Sequence, residues 1–119
     1  AADAIVTSAA AVAATIKAAA IVAFSLSGST TLRAARQRPR VPILGLSPKA
    51  ETARRCALTW GVHPVITEDI ASFSEMTAKA CRTAAEEGFA TSGQRLVVIA
   101  GVPFGTPGST NILRIAWVD

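Results

Sequence analysis

The sequence predicts an α/β fold in which a mostly parallel sheet is covered by helices on both faces. Short apolar runs alternate along the chain with segments of helical spacing, an order typical of strands joined by crossover helices. Runs such as residues 96–100 are apolar without interruption, as expected for strands buried on both faces. The last run, residues 110–118, follows a loop rich in glycine and proline, so it is free to pair antiparallel.

The first half of the chain is predicted to form two helices and two strands. Residues 3–17 carry apolar side chains at spacings of three and four, which predicts a helix. A continuous apolar strand follows at residues 19–25. The second helix covers residues 30–38 because Pro39 cannot continue it, and residues 42–46 form the second strand.

The second half supplies two more helices and three more strands. Ser47 is expected to cap a helix that begins at Pro48 and runs to about residue 59. A turn over residues 60–64 leads into a third strand at residues 65–67. The longest later helix covers residues 72–87, before the last two strands. Its inward-facing residues are predicted to be Phe73, Met76, Ala80 and Ala84, with Gly88 as a left-handed cap.

Composition favours one soluble domain. The chain has 119 residues, and its hydrophobic fraction of 50% and mean hydropathy of +0.40 come largely from alanine. The one candidate membrane span, residues 1–24, contains Asp3 and Lys17 and follows no basic leader. We therefore expect a cytoplasmic protein with no membrane partner. The chain begins close to the first helix without an initiator methionine, as a piece of a longer protein would.

Cysteine and charge content argue against a protein held by disulfides or a metal ion and against a nucleic-acid-binding protein. Cys56 and Cys81 lie in helical patterns without metal-ligand spacing, which favours reduced thiols over a disulfide or a metal site. The net charge is +4, but aromatic residues are only 5% and no recognition motif is present, so no nucleic-acid partner is expected. The basic residues favour a solvated face, or a site for small anions or a partner domain. They form two groups: Arg33, Arg36, Arg38 and Arg40, then Lys49, Arg54 and Arg55.

The most informative stretch is a hydroxyl-rich turn, Ser25-Leu26-Ser27-Gly28-Ser29-Thr30, between the first strand and the second helix. Gly28 can adopt backbone angles closed to other residues, and Ser27 or Ser29 can cap the helix that starts near Thr30. Such a turn directs unpaired amides and the positive end of a helix dipole at one point, where a phosphate is stabilised. On these six residues alone, a plain helix cap without a ligand is the simpler interpretation.

Other conspicuous residues are interpreted structurally. His63 has no second ligand candidate nearby in sequence, which favours a structural or exposed histidine over a metal ligand or base. Trp60 and Trp117 are expected to be core or interface anchors. A last strand that is apolar on both faces needs a cover, and pairing with a second copy about a twofold axis would supply it. We therefore predict that Ile115 and Trp117 lie at a subunit contact.

Several segments together resemble one family, the C-terminal domain of pyruvate kinase. Each motif is weak alone, but their order and spacing across nearly the whole chain make the resemblance specific. The motifs are the hydroxyl turn, Arg36-Gln37-Arg38-Pro39, Pro42-Ile43-Leu44, Thr52-Ala53-Arg54, Leu58-Thr59-Trp60-Gly61-Val62-His63-Pro64, and Val102-Pro103-Phe104-Gly105-Thr106-Pro107-Gly108-Ser109-Thr110-Asn111.

The resemblance implies a three-layer domain over residues 1–119, with a five-stranded mixed sheet whose last strand is antiparallel. In this family phosphoryl transfer from phosphoenolpyruvate to ADP occurs on a separate barrel domain. That barrel supplies the catalytic residues and is implied to hold the Mg and K ions of the parent enzyme. This chain is therefore expected to contain no catalytic residue and to bind no cofactor or metal. Its paired carboxylates, Glu68-Asp69 and Glu86-Glu87, are interpreted as solvated.

The family's C-terminal domain also packs subunits into a tetramer and, in many members, binds a sugar-phosphate activator such as fructose 1,6-bisphosphate. The resemblance places the activator's phosphate in the turn, on Ser25, Leu26, Ser27, Gly28, Ser29 and Thr30. The loop that closes over it matches residues 102–110 and supplies Pro103, Gly105, Gly108 and Ser109.

Two departures from the family pattern bear on the effector. Leu26 stands where activator-responsive relatives often carry a basic residue, and residues 102–110 include no arginine or lysine. A second phosphate would therefore lack its usual charge partner. A monophosphate such as glucose 6-phosphate or AMP, or no effector at all, is favoured over the bisphosphate. Arg33 and Arg36 are candidate contacts for an anion or an acidic neighbouring subunit.

Three functions from different classes follow. The leading one is a regulatory and assembly domain of a pyruvate kinase, with the parent barrel domain and a second copy of the domain as partners. The second is a free-standing sugar-phosphate or nucleotide-binding module descended from that domain. The third is an enzyme that acts on its own, which the absence of the barrel's residues argues against.

Overall fold

The computed structural model describes residues 2–101 and 110–119, which form four helices around a five-stranded sheet. The strand order is β3-β2-β1-β4-β5. As expected, β1 to β4 are parallel and β5 is antiparallel to β4. In chain order the elements are α1 (Ala2–Ile16), β1 (Ala20–Phe24), α2 (Ser29–Arg36), β2 (Ile43–Ser47), α3 (Ala50–Cys56), β3 (Val62–Ile66), α4 (Phe73–Glu86), β4 (Arg95–Ala100) and β5 (Ile112–Trp117).

The sheet separates two apolar cores. Alternate side chains of each strand point to opposite faces, so Val22 contributes to one core and its neighbour Ile21 to the other. Met76 and other residues of α4 fill the first core, and Val6 of α1 with Ala34 of α2 fills the second. The predicted three-layer arrangement, with a sheet buried on both faces, is confirmed.

Two predicted boundaries around α3 are wrong. Ser47 is the last residue of β2, and its hydroxyl accepts a hydrogen bond from the Lys49 amide at 3.2 Å, which closes a turn at Pro48. Helix α3 therefore begins at Ala50, two residues after the predicted Pro48. The third strand starts earlier than predicted, because pairing with β2 holds Val62 opposite Ile43 and Pro64 opposite Gly45. Proline is tolerated there because β3 is an edge strand.

Two aromatic residues are more exposed than predicted. Phe73 was expected to face inward but is 45% exposed, because it is the first residue of α4 and lies beyond the covered part of the helix. Ile70, just before that helix, is buried in its place. Trp60 is 85% exposed, which rules out a place in the core. Its alternative role as an interface anchor stays a prediction.

Close packing between α2 and β2 depends on Gly45. A methyl group at this position would lie 2.8 Å from Thr31 Cγ2, and Thr31 is itself buried. Gly45→Ala is therefore expected to force α2 away from the sheet and to lower the free energy of unfolding by about 1–3 kcal/mol. Urea denaturation monitored by circular dichroism measures this change. An unchanged midpoint would show that α2 has room to move.

Candidate functional site

The hydroxyl turn lies at the point where the chain connections of the sheet diverge. Strands β1 and β4 are parallel neighbours, but β1 continues through α2 towards β2, on the side of β1 away from β4. In open α/β sheets, ligands bind outside the carboxyl ends of the strands at such a divergence. The segments that follow β1 and β4 meet there, because the hydroxyls of Thr30 and Thr110 are hydrogen bonded and both residues are buried.

Inside the turn, side-chain hydroxyls hold the backbone. Gly28 has a φ of 88°, and its amide donates to Ser25 Oγ at 2.8 Å. The Ser29 amide donates to Ser27 Oγ at 3.3 Å. Gly28 is the N-cap of α2 and no side chain caps that helix, so the prediction of Ser27 or Ser29 as the cap is wrong. The Ser25 and Ser27 hydroxyls accept bonds within the turn instead, and Gly28 adopts the left-handed conformation that favours glycine.

Helix α3 holds the carbonyls of the turn. Leu26 O accepts from Thr52 Oγ1 at 2.8 Å and from Ser47 Oγ at 3.4 Å. Ser27 O accepts from Arg55 Nη2 at 3.0 Å. Two peptide oxygens of the turn are thus satisfied from the α3 side. The apolar Leu26 side chain is half-buried at the same place.

Two amides in the first turn of α2 have no acceptor among residues 2–101 and 110–119. The Ser29 amide bonds Ser27 Oγ, and the next amide of the helix that donates is that of Leu32, to Gly28 O at 2.9 Å, which leaves the Thr30 and Thr31 amides without a described partner. No acidic side chain occupies the first turn of α2. These amides and the positive end of the helix dipole can therefore stabilise an anion.

Arg55 is a cation that bonds the turn directly, and sequence patterns did not single it out. They placed it in a basic group without relating it to the turn, whereas in the fold it bonds Ser27 directly. The signal that could have found it is topological: β1 and β2 are parallel neighbours, so the segments that follow them start at the same edge. Arg33, the cation first suggested, forms an ion pair with Asp3 of α1 at 3.8 Å.

Cys56 lies directly beneath the turn. A methyl group at Gly28 would lie 3.3 Å from Cys56 Sγ and 3.2 Å from Thr52 Cγ2, so a side chain there would crowd both groups in addition to straining the backbone. Burial raises the pKa of the Cys56 thiol, and the positive charge of Arg55 opposes that rise. Cys56 and Cys81 are both free thiols, as predicted.

The closing loop predicted from the family falls outside the described residues. Pro103, Gly105, Gly108 and Ser109 all belong to that segment. Of the predicted phosphate-binding residues, the structure brings Ser25 to Thr30 together in one turn. Whether they hold a phosphate stays a prediction.

The predicted interface residues lie on an open sheet edge. Strand β5 ends the sheet, and the Val118 amide just beyond it donates to Gln94 O at 2.9 Å. Hydrogen bonding alternates along an antiparallel strand, so the backbone groups of Ile115 and Trp117 point away from β4. Trp117 is 61% exposed. Its carbonyl accepts from Cys81 Sγ at 3.3 Å, which ties the strand to α4.

Two pairs of polar residues make contacts outside the hydroxyl turn and the edge of β5. His63 Nε2 lies 2.6 Å from Glu87 Oε1, and the His63 ring packs against Phe89 with centroids 5.1 Å apart. Glu86 pairs with Arg82 at 3.7 Å. Within the described ranges, no three His, Cys, Asp or Glu side chains are arranged to hold a metal ion.

Comparison with known proteins gives consistent matches. The family profile described as "Pyruvate kinase, alpha/beta domain" matches residues 3–116. A pyruvate kinase of Methylorubrum extorquens is 50% identical over 98 residues, covering 82% of this chain and 20% of that protein. A pyruvate kinase of Agrobacterium vitis is 42% identical over 112 residues, covering 94% of this chain and 24% of that protein. A pyruvate kinase of Clostridium acetobutylicum is 36% identical over 107 residues, covering 90% of this chain and 23% of that protein.

The chain therefore spans between about a sixth and a quarter of the length of the curated relatives it matches, from 16% to 24%. Among its described helices, none has the length and apolar content that a membrane crossing requires.

Proposed function

This chain belongs to the pyruvate kinase α/β-domain family, and from that premise we propose that it is the regulatory and subunit-assembly domain of a pyruvate kinase. The parent enzyme would transfer a phosphoryl group from phosphoenolpyruvate to ADP in cytoplasmic glycolysis, on a catalytic barrel that lies outside this chain and holds its Mg and K ions. On this proposal the chain alone shows no rate in a coupled pyruvate assay.

The regulatory part of the proposal rests on the hydroxyl turn. The observation that carries it is that two amides without an acceptor among the described residues, those of Thr30 and Thr31, lie on the same turn as an anchored arginine, Arg55. Amides at a helix N-terminus supply directional donors, and a guanidinium supplies charge. A phosphate placed over the turn would also meet the Ser29 hydroxyl, which belongs to the first residue of the helix.

The same residues favour a ligand with one phosphate. Arg55 is the single cation that bonds the turn, and Leu26 contributes no charge. A second phosphate needs its own charged donors to offset its loss of water. Glucose 6-phosphate and AMP present one phosphate beside a neutral polar body, which suits this arrangement better than fructose 1,6-bisphosphate.

Isothermal titration calorimetry of the chain with glucose 6-phosphate, AMP and fructose 1,6-bisphosphate tests the regulatory part. We expect saturable binding of at least one monophosphate, tighter than that of the bisphosphate, and weakened in high salt because the contact is charged. Inorganic phosphate serves as the probe for the phosphate group alone. If none of the four compounds binds measurably, the proposed effector site is overturned and assembly is left as the role of the domain.

The assembly part rests on the open edge of β5. The outward backbone groups of Ile115 and Trp117 can pair with the same strand of a second copy about a twofold axis. Pairing would cover an edge strand that carries the exposed Trp117 indole. The domain would thereby form a dimer, and two such contacts with the barrel interfaces would complete a tetramer of the parent enzyme.

A further inference from the structure

A hollow of about 340 Å³ lies between the edge strand β3 and helix α4, on the face of the sheet opposite to α2. Strand and helix run in opposite directions here. His63, near the start of β3, bonds Glu87 just after α4, whereas Glu68, beyond the end of β3, bonds Lys79 in the middle of α4. The described lining of the hollow includes no residue of the hydroxyl turn or of β5. It is therefore separate from both sites considered above.

Lys79 brings an ammonium group to one end of the hollow. The residue is 8% exposed, and its Nζ donates to Glu68 O at 2.8 Å. No carboxylate of a described residue lies within ion-pair distance of it. Because an ammonium carries three donors, two of them have no acceptor in the described part of the chain. A buried charge with unused donors is costly, and an anionic partner would stabilise it.

Thr83 adds a hydroxyl on the same side of the helix, one turn after Lys79. The residue is also buried and lines the hollow, and its Oγ1 has no hydrogen-bond partner among the described residues. Every unpartnered side-chain oxygen or nitrogen of the described chain is reached by solvent, so this hydroxyl opens into the hollow. An ammonium and a hydroxyl one turn apart can donate to the two oxygens of a carboxylate.

Carboxylates line the other end of the hollow. Glu86 and Glu87 follow Lys79 by seven and eight residues, which places them about 10–12 Å farther along the helix axis. Glu87 is held by His63 at 2.6 Å, whereas Glu86 pairs with Arg82 at 3.7 Å through two mostly exposed side chains. An exposed pair of this length contributes little to stability. Glu86 can therefore accept a positively charged group of a ligand.

Apolar side chains lie between the two charged ends. Val65 and Ile66 line the hollow, and in the chain they come after His63 and before Glu68. Val65 packs against the core that α4 fills, and the Ile66 side chain is 60% exposed. Methylene groups that cover such a surface are removed from water, which favours binding. A basic end, an apolar middle and an acidic end thus follow one another along β3.

We infer that this hollow binds a small ω-amino carboxylate, an unbranched chain with a carboxylate at one end and an ammonium at the other. The two buried donors hold the carboxylate, Val65 and Ile66 cover the methylene chain, and Glu86 accepts the ammonium. The exposed Glu68 carboxylate, which also lines the hollow, disfavours a ligand that is only an anion. The Lys79 ammonium likewise disfavours one that is only a cation. Because neither the hydroxyl turn nor β5 takes part, this inference does not depend on the proposed function.

Two-dimensional NMR of the ¹⁵N-labelled chain, titrated with 6-aminohexanoate, tests the inference. The amides of Ile66 and Thr83 are expected to shift and saturate together, with a dissociation constant on the order of 1 mM, while those of Thr30 and Thr31 stay in place. Hexanoate and hexylammonium each keep one of the two charges and should bind at least about tenfold more weakly. Equal affinity for either, or no saturable shift at Ile66 and Thr83, would overturn the site.

Variants assign the two ends of the ligand. Thr83→Val keeps the shape of the side chain but removes its hydroxyl, and should weaken 6-aminohexanoate about fivefold. Lys79→Met removes the buried charge and should weaken it at least about 30-fold. Glu86→Gln should weaken 6-aminohexanoate about tenfold without weakening hexanoate.

Glu51→Gln is the matched control, because it removes the same charge from an exposed position of α3 outside the hollow. Its dissociation constants should equal those of wild type. If Lys79→Met fails to fold, Thr83→Val and Glu86→Gln still decide the matter, since each replaces a group that no buried contact of the described chain requires. Wild-type affinity for 6-aminohexanoate in both of these variants would refute the inference.

Discussion

Ser27→Asp is expected to weaken binding of glucose 6-phosphate to the chain by roughly 700-fold, the factor that corresponds to a repulsion of about 4 kcal/mol. The Ser27 hydroxyl lies in the middle of the turn, accepting from the Ser29 amide and donating to the Ser29 hydroxyl at 3.2 Å. A carboxylate there would stand about 4 Å from a bound phosphate, where like charges repel by about 4 kcal/mol at an effective dielectric constant of 20. It would also attract Arg55, which bonds the same residue. Calorimetry on both proteins gives the ratio of the dissociation constants.

The matched control is Ser92→Asp, which adds the same charge at an exposed position in the turn before β4, at the opposite edge of the sheet from the site. We expect its dissociation constant to equal that of wild type, because a charge more than a Debye length away is screened. Equal affinities in all three proteins would show that the phosphate binds elsewhere.

Trp117→Asp is expected to convert a dimer of the chain into a monomer. A tryptophan at the centre of an interface contributes at least about 2 kcal/mol, and a twofold dimer loses two of them. The dissociation constant of the dimer should therefore rise about 1,000-fold, and the carboxylates would repel each other across the axis. Sedimentation velocity over a concentration series measures this change.

Trp60→Asp is the control for this experiment, because Trp60 is even more exposed than Trp117 and lies at the other end of the sheet order. It should sediment as the wild-type chain does. A monomer in wild type and both variants would remove the proposed strand pairing, and dissociation by Trp60→Asp alone would place the interface at the opposite edge.

The order of helices and strands was predictable from the sequence, because apolar periodicity and buried β-runs are local properties. The loop before the last strand only allowed antiparallel pairing, and the family resemblance implied it. The boundaries of helices and strands were less predictable. Ser47-Pro48 reads as a cap and first helical residue, but pairing with neighbouring strands extended β2 through Ser47 and started β3 at Val62. Phe73 was misplaced for a similar reason, since periodicity does not say where a helix passes beyond the edge of its sheet.

The position of the candidate site was predictable from the sequence, but the arginine that contacts it was not. The hydroxyl turn carries a local pattern, and its place between a strand and a helix follows from that pattern alone. The contact of Arg55 with Ser27 joins residues 28 positions apart and depends on which strands are neighbours. Sequence reasoning therefore offered Arg33 and Arg36 as the candidate cations, and the structure pairs Arg33 with Asp3 of α1.

The central claim is that the turn after β1 holds the phosphate of an effector. Two-dimensional NMR of the ¹⁵N-labelled chain, titrated with glucose 6-phosphate, tests it most directly. The amides of Thr30 and Thr31 are predicted to shift together and to saturate, because they face the ligand, while those of Leu58 and Trp60 stay in place. A titration that leaves the turn amides unmoved, or shifts only residues at the opposite edge, would contradict the claim.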